Sequence, residues 1–338
     1  MMKNCRYGIR DSFFKKGRRR TRFLIAWLMI LLQASVLTGC ASGQGSESWK
    51  EGVEKESMEE ESAGDGSTNN PGKEQTEEPS AESGDVLRVQ VLKVGKADAI
   101  VLSCGGKTMV IDCGEEEDGQ EVLAYLQAEG VSEIDVLMIT HFDKDHVGGA
   151  DTVMNGMPVS RVLLPAYTGS GTEYKDFMEA LQKTAAEPEN ILEPVRFQLG
   201  DALVLVEPPA SYQIPNDAAN NDTEYDNNFS LVTTVEFCGQ RMIFAGDIEK
   251  QRICEWLAHG DREPCAVLKV PHHGVYNKAL EDLFGTLQPA YAIICDSKKN
   301  PADERTLELL RQCGVECLET KDGDISVLCG SEGIEIRQ

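Results

Sequence analysis

Thr140-His141-Phe142-Asp143-Lys144-Asp145-His146-Val147-Gly148-Gly149 packs two imidazoles and two carboxylates into residues 141–146, directly behind the apolar run 134–140. Ligand-type side chains at this density, at the end of a buried strand, would repel one another or lie unsatisfied, and divalent cations are what usually stabilises such a loop. Gly148 and Gly149 let the backbone turn tightly into a following helix.

Outward from this loop, short apolar runs rich in β-branched residues alternate with turns. Residues 87–94, 99–103 and 108–112 read as successive strands that open an antiparallel sheet. Helical spacing of Val122, Leu123 and Leu126 predicts a helix over 120–129, stopped by Gly130. Downstream, strands are expected at 161–165, 202–207, 230–237, 241–245 and 266–270. Helices are expected at 173–184, 248–258 and near 303–313. Strands on both sides of helices predict an α+β chain with two sheets packed together and helices outside. No internal repeat of fixed period is present.

The loop resembles the His-x-[His/Asp]-x-Asp-His signature of the metallo-β-lactamase superfamily, and other motifs follow in the right order. Asp112 in Val110-Ile111-Asp112-Cys113-Gly114 resembles the strand-end Asp that supports the site. Gly246-Asp247 resembles the Asp that bridges two metals, and Pro271-His272-His273-Gly274 the late His motif. Three further stretches are similar to the hydrolase domain of ComEC-type DNA-uptake competence proteins: Val94-Gly95-Lys96-Ala97-Asp98-Ala99-Ile100, Asn227-Asn228-Phe229-Ser230-Leu231-Val232 and Leu268-Lys269-Val270-Pro271. The resemblance spans residues 86–338 and implies the αββα sandwich of that superfamily, two mixed sheets flanked by helices.

Carried over position by position, the resemblance implies one metal held by His141, Asp143 and Asp247, with Asn228 near the place of the superfamily's middle His. No His occurs between His146 and His259. The second metal would take Asp145, His146, Asp247 and His272. Oxygen donors in place of imidazoles make the first site harder and shift it from zinc toward manganese, without excluding zinc. The implied chemistry is hydrolysis by a metal-bridging hydroxide that Asp145 or Asp247 helps to position. His273 would contact a substrate phosphate, protonate a leaving oxygen or merely support its neighbour. Asp98 and Asp112 read as carboxylates behind the ligands. His259 reads as a helix C-terminal residue, and the run 217–226 as solvated surface. Val275 stands where those competence proteins usually have Ser.

The first 22 residues carry nine Lys or Arg against one Asp, and the apolar run 23–32 that follows has the length of a signal-peptide core. Leu37-Thr38-Gly39-Cys40-Ala41-Ser42 resembles a bacterial lipobox, which implies a signal peptide over 1–39 and a lipid on Cys40. The alternative is an uncleaved membrane anchor. Either places the remainder outside the cytoplasm at the membrane. Residues 40–85, rich in Glu, Ser, Gly and Pro, bury too little apolar surface to offset ordering and read as an acidic tether. The hydrolase domain is therefore 86–338.

Formal net charge is -24, and the body from Val86 holds 21 Lys/Arg against 43 Asp/Glu. Such acidity disfavours a stable nucleic-acid complex, though bound cations leave room for a small-molecule or oligonucleotide phosphoester substrate. Eleven cysteines, less Cys5 and Cys40, leave an odd nine. Cys104, Cys113, Cys238, Cys265 and Cys295 lie in apolar runs and read as buried free thiols, whereas Cys313 and Cys317 could face each other on a helix. Nothing in the pattern specifies an oligomer.

The leading reading is a metal-dependent phosphodiester hydrolase, nuclease-like in chemistry. The alternatives are a cell-surface esterase of phosphocholine-type envelope esters and a non-catalytic binding lipoprotein with an empty first site. The missing middle His and the His-His-Gly motif argue against a β-lactamase.

Overall fold

The computed structural model describes residues 86–214, 225–260 and 262–338. The signal-peptide, Cys40 and tether expectations lie outside the described residues. The first sheet is built around β1 (Leu87–Val91), β2 (Ala99–Cys104) and β3 (Lys107–Cys113), an antiparallel meander as expected. β4 (Ile134–Met138), β5 (Val159–Pro165) and β6 (Glu187–Ile191) continue it in parallel, and β14 (Ile325–Gly330) and β15 (Gly333–Arg337) close its other edge. The order is β15-β14-β1-β2-β3-β4-β5-β6.

The second sheet repeats this plan. β7 (Val195–Leu199), β8 (Ala202–Glu207), β9 (Val232–Phe237) and β10 (Gln240–Phe244) pair antiparallel. β11 (Val267–Lys269), β12 (Tyr291–Ile294) and β13 (Glu316–Glu319) extend the sheet in parallel from β10.

Three apolar layers follow from the alternation of side chains along these strands. Val89, Val91, Leu102, Met138, Val204, Val235 and Phe244 fill the space between the sheets. Outside the first sheet, α1 (Gly119–Ala128), α3 (Ala150–Gly156) and α4 (Thr172–Gln182) bury Leu126, Val153 and Phe177 against it. Outside the second, α5 (Lys250–Ala258), α6 (Ala279–Leu287) and α7 (Glu304–Cys313) bury Trp256, Phe284 and Leu310. Each fully buried aromatic is worth about 1.5–3 kcal/mol in apolar transfer. The result is the αββα sandwich.

Several expected boundaries shift for local reasons. β1 ends at Val91, because beyond it Lys93 N donates to Asp324 Oδ1 at 2.7 Å and Val94 N to Leu92 O at 3.1 Å. α5 starts at Lys250, two residues late, with Glu249 as its N-cap. β6 and β7 were not expected: their sequences Glu-Pro-Glu-Asn-Ile and Val-Arg-Phe-Gln-Leu expose most side chains, as charged edge strands do. Among the described residues no cysteine is in a disulfide. Cys238 is exposed, against expectation, since it sits in the tight β9–β10 turn at φ 47°. Cys313 ends α7 while Cys317 lies in β13, so the two do not share a helix face. Among the described residues no helix is long and apolar enough to cross a membrane.

Candidate metal centre

The carboxyl ends of β3, β4, β10 and β11 meet at one rim of the sandwich, the place where parallel strands deliver side chains from different segments to a common site. Leu231 N donates to Thr140 O at 3.0 Å and ties the two sheets together there. After β4 the chain enters the single turn α2 (Lys144–Val147), whose N-cap is Asp143. This turn carries His146 inward beside His141, with ring centroids 4.1 Å apart. Gly148 and Gly149 are required by close approach: a Cβ on Gly149 would lie 2.4 Å from Cys113 O.

Asp112 organises this loop from behind. It stands at φ 57°, a left-handed backbone that a non-glycine residue adopts at a cost of about 1 kcal/mol or more. Its Oδ1 accepts from Thr140 N at 2.7 Å; its Oδ2 accepts from Thr140 Oγ1 at 2.7 Å and from His146 Nδ1 at 2.8 Å. Thr140 Oγ1 in turn lies 3.1 Å from His141 Nδ1. Both rings thus engage the protein through Nδ1, and their Nε2 atoms point forward.

The third imidazole differs from expectation. His273, fully buried, lies with Nε2 3.1 Å from Asp247 Oδ2 and 3.3 Å from Asp145 Oδ2. Its Nδ1 donates to Cys295 O at 2.9 Å. His272 turns the other way: its Nδ1 meets Glu249 Oε1 at 3.1 Å and its side chain keeps 12% exposure. His273, and not the expected His272, is therefore the ring that faces the Asp145 and Asp247 carboxylates. The physical reason is the 3₁₀ turn His272–Gly274, in which both histidines stand at φ 49° and consecutive side chains point to different sides.

Asp247, at the end of the β10 turn, sets Oδ2 3.3 Å from His146 Nε2. Asp143 lies 3.7 Å from His141 Nε2. Asn228 does not reach that end: its Oδ1 accepts from Arg252 N at 3.1 Å, at the start of α5. Asp226 stands there instead. Burial, then the neighbouring Asp143 carboxylate, raises the Asp226 carboxyl above its ordinary value, so part of the run read as surface faces the centre.

Asp98, read as a carboxylate behind the ligands, is buried. One oxygen from each of Asp98 and Asp247 and one nitrogen from each of His146 and His273 fall within 4.8 Å of one another. Asp98, however, faces the Nδ1 edges, 3.9 Å from His146 and 3.6 Å from His273, so it lies behind the rings while Asp247 lies before them. Lys269, which the sequence reading passed over as one letter of a motif, is fully buried between these two carboxylates. A lysine inside the apolar run 266–270 was the signal for it.

Electrostatics follow the packing. Burial lowers the pKa of His273, but Asp247 and Asp145 more than offset it, for a net value of about 9. His146 is likewise opposed by burial and driven well above its ordinary range by Asp247, Asp112 and Asp98. Burial would raise Asp145 and Asp247, yet the facing imidazoles hold both below the usual carboxylate range. The buried Nε2 atoms of His141, His146 and His273 have no hydrogen-bond partner, which is the arrangement expected of imidazoles built to bind a metal. The residues present thus fit divalent cations.

A profile of the metallo-beta-lactamase superfamily matches residues 92–221. The fold is that of the metallo-β-lactamase superfamily. The chain is similar to ComE operon protein 3 of Bacillus subtilis (strain 168), at 32% identity over 206 residues, 60% of this chain and 25% of that protein. It is also similar to Recombination protein 2 of Haemophilus influenzae, at 26% identity over 227 residues, 63% of this chain and 25% of that protein. The chain spans about a quarter of the length of these relatives. Among solved metallo-β-lactamase folds, YhfI from Bacillus subtilis superposes with TM-score 0.49 at 9% identity, covering 70% of this chain and 98% of that one. Zn(2+)-bound PqqB from Methylobacterium extorquens superposes with TM-score 0.47 at 11% identity, covering 71% and 99%.

Proposed function

We propose that this protein is a divalent-metal-dependent hydrolase of phosphodiester bonds. The observation that carries the reading is the trio of buried imidazole Nε2 atoms that make no hydrogen bond, each facing a carboxylate of Asp143, Asp145 or Asp247. Phosphodiesters are favoured among esters by the resemblance of residues 94–100, 227–232 and 268–271 to the hydrolase domain of ComEC-type competence proteins.

The residues divide the work. His141, His146, His273, Asp143, Asp145 and Asp247 would hold two divalent cations, zinc or manganese. Bound there, such ions would supply a water acidic enough to ionise near neutral pH and would offset charge developing on the phosphoryl oxygens. Asp112, Thr140 and the Cys295 carbonyl fix the rings through Nδ1 and keep Nε2 free of protons when metal is present. Asp145, the more open of the two carboxylates facing His273 at 22% exposure, is placed to orient the attacking water. On the sequence pattern alone, the domain would sit outside the cytoplasm, tethered through Cys40.

The test is hydrolysis by the purified, metal-loaded protein of bis(p-nitrophenyl) phosphate, single-stranded DNA, cyclic dinucleotides and p-nitrophenylphosphorylcholine. Turnover of phosphodiesters that stops on chelation and returns with metal is expected. Bound metal with all four substrates untouched would overturn the reading, and turnover of the choline ester alone would favour the envelope esterase.

A further inference from the structure

The 3₁₀ turn Tyr225–Phe229 is held against the loop that carries Asp143. The Phe229 ring lies 5.0 Å from that of Tyr167, centroid to centroid, and Tyr167 Oη accepts from Phe142 N at 2.8 Å. Within this turn Asn228 points away from the centre, since its Oδ1 accepts from Arg252 N at 3.1 Å. Asp226 points toward it. Half-buried, it brings its carboxyl within hydrogen-bond reach of the Asp143 carboxyl, close to His141.

Two carboxyls this close repel each other unless a proton or a cation lies between them. A shared proton accounts for the pair taken alone. It does not account for His141, whose fully buried Nε2 faces Asp143 at 3.7 Å and makes no hydrogen bond. The other nitrogen of that ring is already engaged, 3.1 Å from Thr140 Oγ1. A buried imidazole nitrogen left open in front of two carboxyls is a donor set for a cation, which uses all three groups at once.

We propose that Asp226 is a metal ligand that joins His141 and Asp143 at the end of the centre where the sequence offers no third imidazole. This rests on reading the site as a metal centre. One imidazole and two carboxylates make a harder donor set than one richer in histidine, so this end is biased toward manganese relative to a site built from imidazoles. Asp226 comes from the segment that leads into β9, so the second sheet would contribute to this end of the centre as well as through Asp247.

The experiment is a chelator-competition titration of the purified full chain with Mn²⁺ and with Zn²⁺, parent against Asp226→Asn. The parent is expected to hold two equivalents of Mn²⁺. Asp226→Asn keeps the shape and a hydrogen-bonding amide, and is expected to lose one equivalent or to bind it more than about 100-fold more weakly, beyond the range of an outer partner. Both equivalents retained, with affinity unchanged or lowered by less than that, would leave Asp226 a proton-sharing neighbour and overturn the inference. A folded Asn228→Ala protein should keep both ions, and loss of one there overturns it too. Asp226→His decides if the Asn variant does not fold: both equivalents retained, with preference for Zn²⁺ over Mn²⁺ raised at least about 10-fold, support the inference. A lost equivalent or an unaltered preference in that variant overturns it, as does a parent that holds a single ion. A parent chain that takes up neither ion overturns the metal reading itself, a result distinct from these.

Discussion

The loop after β4 and the turn after β11 each end a buried parallel strand, and each carries two histidines, yet only the first delivers both rings to the centre. His141 and His146 are separated by a helical turn that brings both inward, with Asp112 and Thr140 behind them. His272 and His273 are adjacent, and adjacent side chains diverge; the Cys295 carbonyl takes one ring and Glu249 the other. Spacing between ligand-type residues is thus informative only when the backbone between them is known.

Replacing the two histidines of the turn one at a time is the strongest way to break this contrast. His273→Ala should weaken metal binding by more than the roughly 100-fold upper range of an outer partner. His272→Ala should keep the full metal complement, because its ring is held by Glu249 and does not face the Asp145 and Asp247 carboxylates. Metal analysis beside steady-state kinetics separates the two, and equal metal loss in both would erase the distinction. On the loop side, Asp112→Asn keeps the shape but removes the charge that faces His146. Metal affinity should drop about 10- to 100-fold by chelator competition.

Stability experiments sharpen the same comparison at smaller scale. Metal at about 100 times its Kd should stabilise the folded chain by about 2.7 kcal/mol. That is a rise in Tm of roughly 5–10 °C, reversed by chelation and followed by calorimetry. Gly274, at φ 76°, would bring a Cβ 2.9 Å from Ala302 Cβ, so Gly274→Ala should cost about 1–3 kcal/mol. A neutral outcome in urea unfolding would show that the turn relaxes more freely than the loop.

The loop is buttressed by the 3₁₀ turn Glu116–Asp118, and here a pH effect is expected. Burial, partly offset by the bond from Glu115 N, raises Asp118 from 3.8 to about 6. A carboxyl whose folded pKa is raised contributes stability that is complete below the unfolded value and lost as pH climbs through the folded one. Asp118→Asn should therefore match the parent near pH 4 and exceed its Tm by about 1–2 °C at pH 8, the half-exposed position screening the effect. An equal difference at both pH values would contradict the shift.

Much of this was legible in the residues. The continuous apolar strand 134–138, the dense loop after it and the ordered motifs around Asp112, Asp247 and His272-His273 pointed to the sandwich and its rim. β6 and β7 were not, because half-exposed edge strands carry charge on both faces and lose the alternation that marks a strand.

Local pattern was enough to name the ligand types, since spacing along one loop and the need to compensate clustered carboxylates are properties of the chain itself. Packing alone chose His273 over His272, turned Asn228 toward Arg252, brought Asp226 up to Asp143, and set Lys269 between Asp98 and Asp247. Each of those outcomes depends on where a backbone turn or a neighbouring strand aims a side chain, and that direction exists only after distant segments have met.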